Sequence, residues 1–106
     1  MNECNQHLAK CYDYLKYMDT GGLITPYILS QITGESRDKC YRILSDMKHI
    51  GLVDTVDRGW DDANNHVRYV ARRRLSPMGR TVLMMINEGK KPSEIRRFIH
   101  ENAGKI

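Results

Sequence analysis

In the stretch HVRYVARRRLSPMGR, His66 to Arg80, residues Arg68, Arg72 and Arg74 fall on the same side of a segment that otherwise reads as a β-strand. Guanidinium groups lined up in this way suit phosphate, because each is a rigid fork of donors that keeps its charge at any physiological pH. From Arg68 to Arg97 nine basic residues stand against two acidic ones, Glu88 and Glu94, so a formal net charge of only +4 is concentrated locally. An anionic partner follows, nucleic acid ahead of membrane, since no basic amphipathic helix carries an aromatic-rich apolar face. A solvated strand face with no partner is the alternative reading.

Other reactive side chains offer less. Cys4, His7 and Cys11 fall at helical spacing, but that spacing matches no standard zinc motif, and buried cysteine commonly acts as a small apolar residue. Met78, Met84 and Met85 read as core packing ahead of an effector pocket, and His49, His66 and His100 as solvated surface. No nucleophile elbow, phosphate loop, paired-carboxylate spacing or zinc-protease signature appears, so neither an enzyme nor a metal or other cofactor is expected. Three cysteines, an N-terminus without an apolar signal core and no apolar run of membrane-spanning length predict a reduced, cytoplasmic protein without a membrane partner.

The elements that must hold these side chains are legible from periodicity. At 106 residues the chain fits a single domain, 1–106. Cys4, Leu8, Cys11, Leu15 and Met18 form one stripe of a first helix, from about Asn5 to Asp19, which Gly21-Gly22 stops. Thr25 caps and Pro26 opens a short second helix carrying Ile28, Leu29 and Ile32, ended by Gly34. Ser36 caps a third, whose inward face is Cys40, Ile43, Leu44, Met47 and Ile50 and whose outward face is Arg37, Lys39, Tyr41, Arg42, Ser45, Lys48 and His49. Leu52 to Val56 reads as a strand, DRGWDDANN as a long loop, and His66 to Leu75 as a returning strand. In that strand Val67, Tyr69, Ala71 and Leu75 form the packing face, while Arg73 breaks the alternation at a strand end or bulge. Ser76-Pro77 starts a fourth helix with Met78, Val82, Met85 and Ile86 inward, and a last helix after Pro92 buries Ile95, Phe98 and Ile99.

Two junctions in this order resemble the winged helix-turn-helix fold of small transcription regulators of the MarR, ArsR and PadR types. CYRILSDMKHIGLVDTV, Cys40 to Val56, is similar to a recognition helix running through a Gly-Leu-Val junction into a wing. YVARRRLSPMGRTVLMMI, Tyr69 to Ile86, is similar to the returning wing strand followed by the Ser-Pro-x-Gly-Arg start of the next helix. The resemblance covers roughly Leu15 to Ile86 and implies an α+β, mostly α fold: a three-helix core, a two-stranded β wing and C-terminal helices. In that family the third helix enters the major groove and the wing lies over the backbone or minor groove. The matching positions here are Ser36, Arg37, Lys39, Tyr41, Arg42 and Lys48 on the third helix and Arg58, Arg68, Arg72 and Arg74 on the wing, with Arg37 and Arg42 best suited to guanine edges.

The expectation is a homodimer on double-stranded DNA, its third helices roughly 34 Å apart and its first and last helices pairing the protomers, acting as a transcriptional regulator. Rival expectations are a plasmid or viral protein for DNA segregation, replication or packaging, and a winged-helix module that binds protein. The wing tip departs from the family pattern. Asp61 and Asp62 would be repelled by phosphate, which argues against deep insertion, and Trp60 instead anchors the loop to its own domain or to a partner. RNA is disfavoured, because few exposed aromatics are expected for stacking.

Overall fold

Local capping decides where three helices of this chain begin. The structure, a computed structural model, describes residues 11–19, 22–63 and 66–102, the side chains of 62, 63, 66 and 67 excepted. Its fold is α+β and mostly helical. Helix α1 is seen over residues 11–18 and tightens to 3-10 geometry at Lys16–Met18. It is followed by α2 (Pro26–Thr33), α3 (Arg37–His49), β1 (Val53–Ala63), β2 (His66–Leu75), α4 (Pro77–Asn87) and α5 (Pro92–Asn102). Thr25 Oγ1 accepts from the Ile28 amide, Ser36 Oγ from Lys39 and Ser76 Oγ from Gly79, so each of α2, α3 and α4 starts at the hydroxyl read from the sequence. Gly34 closes α2 with φ 77°, a left-handed value that favours glycine. Helix α1 ends at Met18 with Asp19 as its cap, ahead of the glycines expected to stop it, because its last turn has already tightened. Cys4 and Leu8 of its predicted stripe lie outside the described residues.

One core joins these elements. Cys11, Leu15 and Met18 from α1, Leu29 from α2, Cys40, Ile43, Leu44 and Met47 from α3, and Val82, Ile95 and Ile99 from α4 and α5 are all buried in it. Ile28 and Ile32 are exposed, so α2 contributes Leu29 alone of its three predicted apolar residues. The α3–β1 junction supports α4 directly. The Ser76 amide donates to the Leu52 carbonyl at 3.0 Å and its hydroxyl to the Gly51 carbonyl at 2.5 Å. Gly79 sits so close that a Cβ there would lie 2.0 Å from the same Leu52 oxygen.

The sheet is one antiparallel hairpin, and it corrects two expectations and refines a third. Residues 57–63, read as part of a loop, continue β1: Asp57 pairs with Arg72, Trp60 with Tyr69 and Asp61 with Arg68 across the strands. Polar composition suggested a loop, yet Asp57 finds its partner on β2 and Asp61 finds its partners beyond the sheet. The register shifts once, between Thr55 and Asp57, so the bulge expected at Arg73 is present, but its extra residue, Val56, is on β1, with Arg73 opposite it on the regular strand. Arg73 is also held by the connector before α2, its amide and carbonyl both bonded to Ile24 at 2.9 and 2.7 Å. The other correction concerns the faces of β2. The side carrying Arg68, Arg72 and Arg74 also carries buried Val70, while the side ending in buried Leu75 also carries exposed Tyr69. The near half of the hairpin packs on the core and the far half on α2 and α3, so a single alternation cannot describe both. Val67 lies outside the described side chains.

Candidate nucleic-acid interface

Helix α3 presents its polar face beside the hairpin. Lys39, Tyr41, Arg42, Lys48 and His49 are exposed on it, as the sequence led us to expect, while Cys40, Ile43, Leu44 and Met47 hold the opposite face in the core. Lys39 pairs with Glu35 at 3.1 Å one turn earlier, which leaves Arg42 and Lys48 as the cations of this face that make no ion pair among the described residues. Ser36 is exposed, and its hydroxyl already accepts the Lys39 amide at 3.2 Å.

Arg37 does not share that open face. Its side chain is 13% exposed and turns toward the end of the hairpin, where Nε donates to Asp61 Oδ2 at 3.3 Å and Nη2 reaches both that carboxylate and the Asp61 carbonyl. Asp61 in turn accepts from Thr25 Oγ1 at 2.6 Å and from the Tyr27 amide at 3.0 Å, and is 3% exposed. One carboxylate therefore supplements the cap of α2, neutralises the first residue of α3 and fixes the far end of β1. A negative group at a helix N-terminus is favourable, and a buried one tolerates burial because every approach is from a donor. Asp61 is thus a structural clamp facing inward, while the side chain of Asp62 lies outside the described ones. Nothing local announced it, since its partners lie 24 to 36 positions away in sequence.

Two of the expected hairpin cations are also held by carboxylates. Arg68 Nη1 lies 2.7 Å from Asp38 Oδ1 on α3, and Arg72 binds Asp57 through two contacts of 2.6 and 2.5 Å. These bonds hold the Asp38 and Asp57 carboxyls below their ordinary titration range, the hydrogen bond from arginine being the main cause in each. Arg74 is exposed without an ion pair among the described residues, and Arg58 lies with its guanidinium 5.6 Å from the Tyr69 ring centre. Burial pushes the Arg73 guanidinium down, and its donor reaches Thr55 Oγ1. The ten positions thus divide into an open set, Tyr41, Arg42, Lys48, Arg58 and Arg74, and a set engaged within the fold, Ser36, Arg37, Lys39, Arg68 and Arg72.

The sequence pointed to Tyr41 as exposed but not to an exposed aromatic pair on the hairpin. Tyr41 is 52% exposed as expected, and Trp60 is 68% and Tyr69 54% exposed, their rings edge to face at 5.2 Å. Trp60 touches its directly paired neighbour and does not anchor the hairpin to the core. A strand assignment through Asp57 to Ala63 would have revealed the pair, since Trp60 and Tyr69 stand equally far from the two residues that separate Ala63 from His66.

The alternative chemistries find little support in the described residues. Cys11 is buried, and desolvation, with the charge of Asp46 second, pushes its thiol up to about 12, so thiolate is suppressed there. Cys4 and His7 lie outside the described residues, among which no three metal-capable side chains gather. No helix of the described residues is long and apolar enough to cross a membrane. Comparison of the chain with family models, curated proteins and solved structures returns no match.

Proposed function

We propose that this chain is a winged helix-turn-helix protein that binds double-stranded DNA as a homodimer and regulates transcription. In this reading α2 and α3 are the helix-turn-helix, α3 enters the major groove and the β1–β2 hairpin is the wing. One observation carries it: the exposed face of α3 offers Tyr41, Arg42 and Lys48 together, with Arg42 and Lys48 in no ion pair among the described residues, beside a hairpin clamped to the start of the same helix. A groove about 12 Å wide admits such a helix, and a guanidinium fork fits the edge of guanine where an ammonium fits phosphate. Arg58 and Arg74 are the wing cations free to meet the backbone. Arg68 and Arg72 already hold carboxylates and act chiefly to hold the wing in place.

Binding to a random-sequence duplex pool at two salt concentrations, followed by selection, tests this reading. Affinity should fall steeply with salt and selection should enrich a two-fold symmetric site. Arg42→Ala and Lys48→Ala should each reduce the slope of log affinity against log salt by about 1, and Arg42→Ala should also relax preference at one base pair. Absence of binding at low salt would overturn the proposal, and a monomer in sedimentation at micromolar concentration would remove the dimer from it.

A further inference from the structure

On the face of the hairpin that carries Arg58, Trp60 and Tyr69, only Arg58 has a task in the proposed duplex binding, and the two rings have none. Trp60 and Tyr69 are paired residues on adjacent strands, so they stand side by side, edge to face at 5.2 Å, with most of the indole bare. The Arg58 guanidinium lies over Tyr69, two positions before Trp60 on the same strand face. A small pocket lies between there and α3. Tyr41, Arg58, Tyr69 and Arg73 are among its lining residues, which brings a third exposed aromatic ring and a second cation beside the pair, with Leu44 and Val70 at its apolar side.

The geometry points to a stacking platform for unpaired bases of single-stranded nucleic acid, with Trp60 and Tyr69 as the stacking rings and Arg58 as the phosphate contact. Bare aromatic faces interleaved with cations suit a chain that alternates flat rings with anionic linkages. An apolar partner would gain nothing from the guanidinium over Tyr69, and a duplex hides its ring faces within the stack. Arg58 is shared with the proposed duplex surface, but the stacking rings Trp60 and Tyr69 belong to none of the positions assigned to it, so variants at the rings test this inference apart from that reading.

Trp60 is the only tryptophan of the chain, so its fluorescence reports on the platform directly. Oligothymidylate and oligouridylate are titrated separately into the full-length protein, and binding of labelled oligonucleotide to variants is followed by anisotropy. The expected result is quenching of Trp60 by one or both strands, the tighter one identifying DNA or RNA. Trp60→Ala and Tyr69→Ala should each weaken strand binding about tenfold, Trp60→Phe should restore most of it, and duplex binding and thermal stability should stay unchanged. Two results would overturn the proposal. One is strand binding that neither quenches Trp60 nor responds to Trp60→Ala. The other is no strand binding together with self-association that Trp60→Ala abolishes, which would make the platform a contact between two copies.

Discussion

Asp61 concentrates several roles in one side chain. Its two oxygens and its carbonyl receive Thr25, Tyr27 and Arg37, and so join the hairpin to the beginnings of two helices. Removing this carboxylate takes the charged acceptor away from a largely covered guanidinium and from a buried hydroxyl, and that penalty exceeds the modest net worth of the bonds themselves. Asp61→Ala should therefore lower unfolding free energy by about 3 kcal/mol, read from urea denaturation. Asp61→Asn keeps the shape and part of the hydrogen bonding and should cost less. The same variants should weaken duplex binding less than Arg42→Ala does when compared well below their melting temperatures, because the clamp holds the interface without touching its partner.

At the scale of elements, the helices were legible and half of the hairpin was not. Thr25-Pro26, Ser36 and Ser76-Pro77 announce helix starts through bonds spanning three residues, so a short window of sequence contains the whole cause. The far half of β1 depends on Arg72 across the sheet and on Arg37 and Thr25 outside it, which no local pattern contains. The face of β2 was misread for a related reason: Val70 is buried away from the main core and Tyr69 is left open, an inversion that arises where the hairpin changes its support. Of the candidate site, the exposed α3 residues followed from helical periodicity, whereas the inward turn of Arg37 required knowing where Asp61 lies. Gly79 belongs to the same scale. Because the Leu52 carbonyl occupies the place of its missing Cβ, Gly79→Ala must push α4 off the α3–β1 junction. We expect a loss of about 3 kcal/mol and a melting temperature lower by about 10 °C or more, measurable by calorimetry.

Across the whole molecule, arginine–carboxylate pairs link the hairpin to itself and to α3. Asp38 and Asp57 titrate below the ordinary value of 3.8 in the fold, so their contribution is fully present above that pH and is lost as pH falls through their lowered values. Both carboxylates are exposed, which keeps the effect small. The urea midpoint should accordingly show no loss from these groups between pH 7 and 5 and a decline below about pH 4, and Arg68→Gln should show a shallower decline than the parent protein. An equal decline in both would mean that the Arg68 to Asp38 link contributes nothing to the fold.

The bridge between Ile24 and Arg73 has a further consequence for how the molecule behaves in a crowded solution. A hairpin with strands of eleven and ten residues exposes backbone donors and acceptors along two outer edges, and such edges recruit further strands. On the β2 side Ile24 takes up the amide and carbonyl of Arg73, which interrupts the row near its base. On the β1 side the break in register after Thr55 bends the edge away from a flat template. Neither edge is therefore a continuous rail, and the hairpin can project charged and aromatic side chains toward a partner while resisting edge-to-edge aggregation.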